Sequence, residues 1–341
     1  MVKYLICFCK FVSERNQIEH SCKPLPTQYT TADQLILKHL SLNSSAPVNP
    51  APSYLDQLVS PPPNPAVMKV ASFNIQKFGK RKLSNPNTLA TLVKIVSRYD
   101  IIVILEVVDE RGTSVKKFLE ELNKANKKQQ YTLQISTRLG RDKYKEQFMF
   151  LYRDDLVDLV GSWQYEDNQA GDVDAFAREP YILRFKCLNS VLEDLVLIPV
   201  HTKPEDSGKE LDELYDVFLE VTKKWKTDNV MILGDFNADG SYLSKKGMKA
   251  IRIRSDKNFH WLIKDDVDTT ANTGNDNTYD RIVIYGDDML DAIVPNSAKP
   301  FNFQIAYGLS EEDALKVSDH YPVEVELKRS TPTKQSSATG K

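Results

Sequence analysis

The chain is short of cysteine, and the cysteines it has are poorly placed for cross-linking. Of 341 residues four are cysteine, and three of these (Cys7, Cys9, Cys22) fall within the first 22 positions. The fourth, Cys187, lies in the apolar run YILRFKCL and reads as a buried thiol. This supply excludes a disulfide framework and a cysteine-based zinc site. A dominant charge is also missing: Lys+Arg is 45 against 47 Asp+Glu, a net −2. Net charge therefore supplies no argument for a nucleic-acid partner, and the basic cluster of Lys245, Lys246, Lys249, Arg252, Arg254 and Lys257 reads as a solvated face. No apolar run approaches membrane-spanning length. The opening MVKYLICFCKFVSERN holds a short apolar patch interrupted by Lys10, without the small-residue cleavage site of a secretory signal.

What is present divides the chain by composition. Nine of the 17 prolines lie in residues 1–66, a density that blocks helix and sheet and predicts a leader followed by a disordered linker. A short helix fits Thr31–Leu42 within it. Residues 67–328 carry regular patterning, and the polar tail 329–341 reads as disordered. Strands are predicted over Val67–Ile75, Ile101–Leu105, Tyr131–Ile135, Gln147–Tyr152, Leu156–Trp163, Pro180–Lys186, Leu192–Val200, Val230–Leu233, Arg281–Tyr285 and Tyr321–Leu327. Helices are predicted over Asn85–Tyr99, Thr113–Lys124 and Lys209–Trp225. In the last, Leu211, Leu214, Phe218, Val221 and Trp225 share a face, with acids in the first turn and Lys223 and Lys224 in the last. Apolar strands alternating with helices, together with hairpin-like runs, point to α/β layers with mixed sheets.

The chemistry sits where the apolar strands stop. In VMILGDFNADG, Asp235 and Asn237 are two apart and would point to one side of an extended chain. Alone, that stretch reads equally as an Asp/Asn/Gly turn. Other strand ends carry Asn74, Glu106 and His201, while Asp280 precedes RIVI and Asp319-His320 precede the last strand. Only Asn, Glu, His and Asp take these places, never Lys or Ser. Carboxylate and amide oxygens suit Mg²⁺ or Mn²⁺. Two distant histidines suit a base and an acid, each needing a carboxylate to fix its tautomer, for which Glu146 and Asp280 are candidates. Arg178, in FAREP, could clamp a phosphate. These are the parts of metal-assisted phosphodiester hydrolysis.

Over about 67–328 the chain resembles the deoxyribonuclease I family of the endonuclease/exonuclease/phosphatase superfamily. The segments that carry the resemblance are ASFNIQKFG, RDKYKEQFMFLYR, FAREP, LIPVHTKPEDS, GDFNADGSY, TYDRIV and SDHYPVEV. It implies a four-layer α/β sandwich of two packed mixed sheets flanked by helices, and endonucleolytic cleavage of double-stranded DNA to 5′-phosphate and 3′-hydroxyl ends with little sequence preference. It implies Glu106 as the main Mg²⁺ carboxylate with Asn74, Asp235, Asn237 and Asp319, and Glu146–His201 and Asp280–His320 as the catalytic pairs. DNA contacts would fall to Tyr144, Arg178 and Tyr242. Structural Ca²⁺ would sit near Asp268 and Thr270, and at Asp167, Asp174 and the Phe176 carbonyl. The alternatives are another phosphodiesterase or phosphatase of the superfamily, and a non-catalytic DNA-binding relative.

The departures carry information. Both family disulfides are absent: Gly240 and Asn277 stand at one, and EDNQAGDVDAFAREP holds no cysteine for the other. The loop into Tyr242 is therefore expected to be untethered, and the compartment shifts toward nucleus or cytoplasm, with secretion as the alternative. Two residues after Glu106, Val108 replaces the family's basic minor-groove side chain. The actin-contacting patch maps poorly onto Leu133, Ile135 and Thr137, so actin binding is not expected; a monomer without membrane attachment is.

Overall fold

A computed structural model of the chain describes residues 67–167 and 174–330. The expected leader, linker, Thr31–Leu42 helix and most of the tail lie outside these residues. Twelve strands are described: β1 (Val67–Phe78), β2 (Ile101–Val107), β3 (Tyr131–Ile135), β4 (Gln147–Arg153), β5 (Val157–Gln164), β6 (Tyr181–Cys187), β7 (Asp194–His201), β8 (Val230–Asp235), β9 (Phe259–Trp261), β10 (Asp280–Tyr285), β11 (Lys299–Pro300) and β12 (Val323–Lys328). The longer helices are α2 (Pro86–Val96), α3 (Thr113–Ala125) and α4 (Ser207–Trp225). Shorter ones are α1 (Lys80–Leu83), α5 (Lys245–Ala250), α6 (Arg252–Ser255), α7 (Asp287–Ala292), α8 (Phe303–Tyr307) and α9 (Glu311–Val317).

Two mixed six-stranded sheets result, ordered β11-β12-β1-β2-β4-β3 and β5-β6-β7-β8-β10-β9. Each has one parallel pair at its centre, β1 with β2 and β7 with β8, each joined by a helical crossover. The apolar strands are buried on both faces for a reason visible in their alternation. On β2, Ile101, Val103 and Leu105 join Met231 and Leu233 of β8 in the core between the sheets. Ile102 and Ile104 face outward onto Leu92, Ile95 and Val96 of α2. On β8, Val230 and Ile232 pack outward onto Leu214, Val217 and Val221 of α4. Three cores of this kind separate four layers, the sandwich expected of the chain.

Local chemistry fixes the element ends. Asn85 caps α2 by accepting the Asn87 and Thr88 N–H groups, with Pro86 in the first turn. Gly234 lies where β8 runs closest to β7: a Cβ there would overlap the Val200 carbonyl oxygen, and its φ is 147°. Only glycine fits. Cys187 is buried, which raises its thiol to about 12. Part of the basic cluster departs from the expected solvated face: Arg252 pairs with Asp212 and Asp216 of α4, and Arg254 with Asp265.

Candidate active site

Strand register assembles the site. In the second sheet His201 of β7 pairs across β8 with Asp235, and Asp235 pairs with Asp280 of β10, so three strand-end residues form one row. From the first sheet β1 brings Asn74 and β2 brings Glu106. The Asn74 amide links the two sheets, donating to Glu106 Oε1 at 3.1 Å and to Asp235 Oδ2 at 3.0 Å. Glu106 has φ 57° and sits where the β1–β2 and β2–β4 ladders are irregular. This turn of the backbone breaks the strand alternation and lets the carboxylate reach the Lys77 N–H at 3.0 Å. Asn237 is likewise left-handed, with φ 45°.

Both histidines are bonded in the same way. His201 Nδ1 lies 2.7 Å from Glu146 Oε2, and His320 Nδ1 lies 2.7 Å from Asp280 Oδ2. Their Nε2 atoms face a common carboxylate oxygen, Asp235 Oδ2, at 3.8 and 3.7 Å. Arg178 shares Glu146 with His201, its Nε 2.9 Å from Oε2, and also donates to the His201 carbonyl at 3.2 Å. Burial opposes protonation of His201, but Glu146 and then Asp235 outweigh it, and the pKa is raised. For His320 burial is again opposed, by Asp280, Asp235 and Asp319, and the pKa rises to about 10. Burial lifts Asp280 to about 6 despite its histidine partner.

The remaining expected residues fall in three places. Asp319 accepts from the Gln76 amide at 2.7 Å, beside His320. Tyr144, 49% exposed, lies next to Glu146, and Tyr242, 44% exposed, stacks on Tyr279 with ring centroids 5.6 Å apart. Of the positions expected to hold Ca²⁺, Thr270 lies opposite His320 in an antiparallel bridge. The Asp268 carboxylate accepts the Thr270 N–H and hydroxyl at 2.9 and 2.8 Å. Asp167 accepts the Ala175 N–H at 2.6 Å, while Arg141 lies 3.4 Å from the Asp174 carboxylate.

Several supporting residues escaped the sequence reading. Thr202 and Ser318 are fully buried; Thr202 bonds the Phe236 carbonyl at 2.7 Å, and Ser318 bonds the Asn74 carbonyl at 2.6 Å and accepts the His320 N–H. Thr269 accepts the Tyr279 and Asp280 N–H groups. Their only signal was adjacency, in HT, SDH and DTT. The loop expected to be untethered is tied without a disulfide: Asp239 Oδ2 accepts the Thr278 N–H at 2.8 Å, and the Asn277 side chain lies against Gly240.

The donor set fits a hard divalent cation. Asn74 Oδ1 is buried without a hydrogen-bond partner beside the carboxylates of Glu106 and Asp235, and Asp319 Oδ1 is likewise unpartnered beside His320. Atoms of Asp235, Asp280 and His320 also lie within 4.8 Å of one another. In that second group, however, Asp280 and His320 are already bonded to each other. The all-oxygen group better suits Mg²⁺ or Mn²⁺.

Comparison with known proteins agrees with this geometry. The Endonuclease/Exonuclease/phosphatase family model matches residues 71–320. Deoxyribonuclease gamma of Rattus norvegicus is 44% identical over 264 residues, 77% of this chain and 85% of that protein. Deoxyribonuclease-1 of Oryctolagus cuniculus is 46% identical over 261 residues, 76% of this chain and 92% of that protein. An endonuclease/exonuclease/phosphatase family protein from Leptotrichia buccalis shares the fold with TM-score 0.54 at 16% identity, over 76% of this chain and 99% of that one.

Proposed function

The chain belongs to the endonuclease/exonuclease/phosphatase family, in its deoxyribonuclease I branch, and from that premise we propose how it cleaves DNA. It is a deoxyribonuclease, an endonuclease acting on phosphodiester bonds. The observation that carries the mechanism is the paired bonding of His201 and His320. Each turns Nδ1 to a buried carboxylate and Nε2 to the same oxygen of Asp235. A scissile phosphate between the two Nε2 atoms meets a base on one side and an acid on the other. One imidazole takes a proton from the attacking water as its oxygen bonds phosphorus. The other gives a proton to the departing O3′ as the P–O3′ bond breaks. The products carry a 5′-phosphate and a 3′-hydroxyl.

Glu146 and Asp280 fix the tautomers and stabilise the imidazolium formed at each ring. Arg178, braced on Glu146, turns its remaining N–H groups to a phosphate. Tyr144 and Tyr242, half-exposed on either side, contact the duplex. Asn74, Glu106, Asp235, Asn237 and Asp319 would hold Mg²⁺ or Mn²⁺, which neutralises phosphate charge when bound. The acidic positions Asp268 with Thr270, and Asp167 with Asp174, would hold structural Ca²⁺.

Supercoiled plasmid with Mg²⁺ and Ca²⁺, with and without chelator, tests this beside His201→Ala. Wild type is expected to nick, the variant to be slower by on the order of 100-fold or more, and chelator to stop both. Equal nicking by wild type and variant overturns the mechanism. Turnover of a lipid or sugar phosphate without plasmid nicking would move the chain to another branch of the family.

A further inference from the structure

Three loops bring Glu146, Arg178 and His201 together, and two side chains outside the catalytic group join these loops to one another. Arg141, on the β3–β4 connection that ends at Glu146, reaches both of the others. Its guanidinium donates to the Asp174 and Ala175 carbonyls at 2.9 and 2.8 Å, four and three residues before Arg178. It also donates to Asp206 Oδ2 at 3.0 Å, in the loop that follows His201. Glu210, in the first turns of α4, is 1% exposed and accepts the Lys203 N–H at 2.9 Å, two residues past His201. The Ala177 N–H, immediately before Arg178, and the charges of Arg178 and Arg141 also favour its ionised form. The Arg141 guanidinium thus ties all three loops, and the buried Glu210 carboxylate joins two of them.

We infer that Arg141 and Glu210 are positioning residues that hold the loops bearing Glu146, Arg178 and His201 in register, so that the Arg178–Glu146–His201 chain forms. Neither touches the reacting atoms. The inference deepens the deoxyribonuclease reading above and rests on it. A planar guanidinium serves because it binds two carbonyls and a carboxylate at once, which an ammonium cannot match in fixed geometry.

The test uses the full chain and plasmid nicking with Mg²⁺. Arg141→Gln is expected to lower kcat about tenfold or more while KM stays within about twofold, since a misplacement of 1 Å costs on the order of 100-fold. Arg141→Lys recovers part of the loss. In an Arg178→Ala background, Arg141→Gln adds less than about twofold, because the side chain it places is gone. Unchanged kcat in Arg141→Gln, or the same fold loss in both backgrounds, overturns the inference. Amide hydrogen exchange supplies a readout independent of activity. Glu210→Ala is expected to expose the Ala177 and Lys203 N–H groups to fast exchange while β8 stays protected; unaltered exchange at both overturns Glu210's part. Wild type without nicking but with these exchange changes would sink the deoxyribonuclease reading and leave the clamp standing.

Discussion

At the scale of single residues, the site is built from charges taken out of water and then paired. Glu210 is the buried carboxylate with the least compensation: burial raises its pKa to about 7 in spite of the Lys203 and Ala177 N–H groups and two nearby arginines. An unfolded glutamate titrates near its ordinary value of 4.5. The folded protein therefore binds this proton more tightly. The resulting stabilisation is full below pH 4.5 and is lost as pH rises through 7, roughly 3 kcal/mol in all. Glu210→Gln removes the titration. Its melting temperature relative to wild type should rise by several degrees between pH 4.5 and 8, and parallel melting curves across that range would refute the argument. His320 gives a second prediction. Asp280 is the strongest influence raising its pKa, so Asp280→Asn should move the alkaline limb of the rate–pH profile to lower pH. An unmoved limb would show that Asp280 does not govern this proton. The residue types of the site were legible in the sequence because each borders or interrupts an apolar run. Thr202, Thr269 and Ser318 were not, because a buried hydroxyl bonding a backbone carbonyl or N–H has no sequence signature apart from its neighbours.

At the scale of elements, legibility followed length. The expected helices over Asn85–Tyr99, Thr113–Lys124 and Lys209–Trp225 correspond to α2, α3 and α4, within two or three residues at each end. The helices α1 and α5 to α9 have four to seven residues. No apolar stripe can repeat over less than two turns, so these could not be read. The same holds for the three residues of β9 and the two of β11. The absence of a cysteine leaves the loop after β8 without a covalent link, but Asp239 ties it through the Thr278 N–H. Gly240 and Asn277 still face each other: a Cβ at Gly240 would lie 2.7 Å from Asn277 Oδ1. The double change Gly240→Cys with Asn277→Cys should therefore form a disulfide. The gain is roughly 2–4 kcal/mol, reduced by about 1 kcal/mol for a side chain at φ 59°. A melting temperature that rises in the variant and falls back on reduction would establish the bond. Free thiols in the purified double variant would show that the two backbones do not approach closely enough.

At the scale of the whole molecule, what the sequence hid was pairing. The strands buried on both faces carry unbroken apolar runs, as VMIL in β8 and LVLIPV in β7, so nothing in those runs says which neighbour they take or which face looks inward. The two sheets nevertheless repeat one plan, a helical crossover between a central parallel pair, although no internal repeat is visible in the sequence. That plan brings Asn74 and Glu106 from one sheet against His201, Asp235 and Asp280 from the other, and so concentrates carboxylates where a polyanion must bind. With a net charge of −2 the molecule as a whole offers DNA no attraction. Val108 offers no cation to the minor groove either. Binding must then rest on local cations at phosphates: Arg178, and the cleft lined by Lys77, Lys80, Arg81, Lys82 and Arg111 beside Glu106. Each phosphate neutralised releases a counterion, so log affinity falls with log salt with a slope near −0.9 per contact. With three or four such contacts, kcat/KM on plasmid should drop by roughly 40- to 150-fold between 50 and 200 mM salt. Changing Lys80 and Arg81 together to glutamine should make that slope shallower by about two units without altering kcat. A salt response that is flat in wild type, or equally steep in wild type and variant, would mean that DNA is held by contacts other than these.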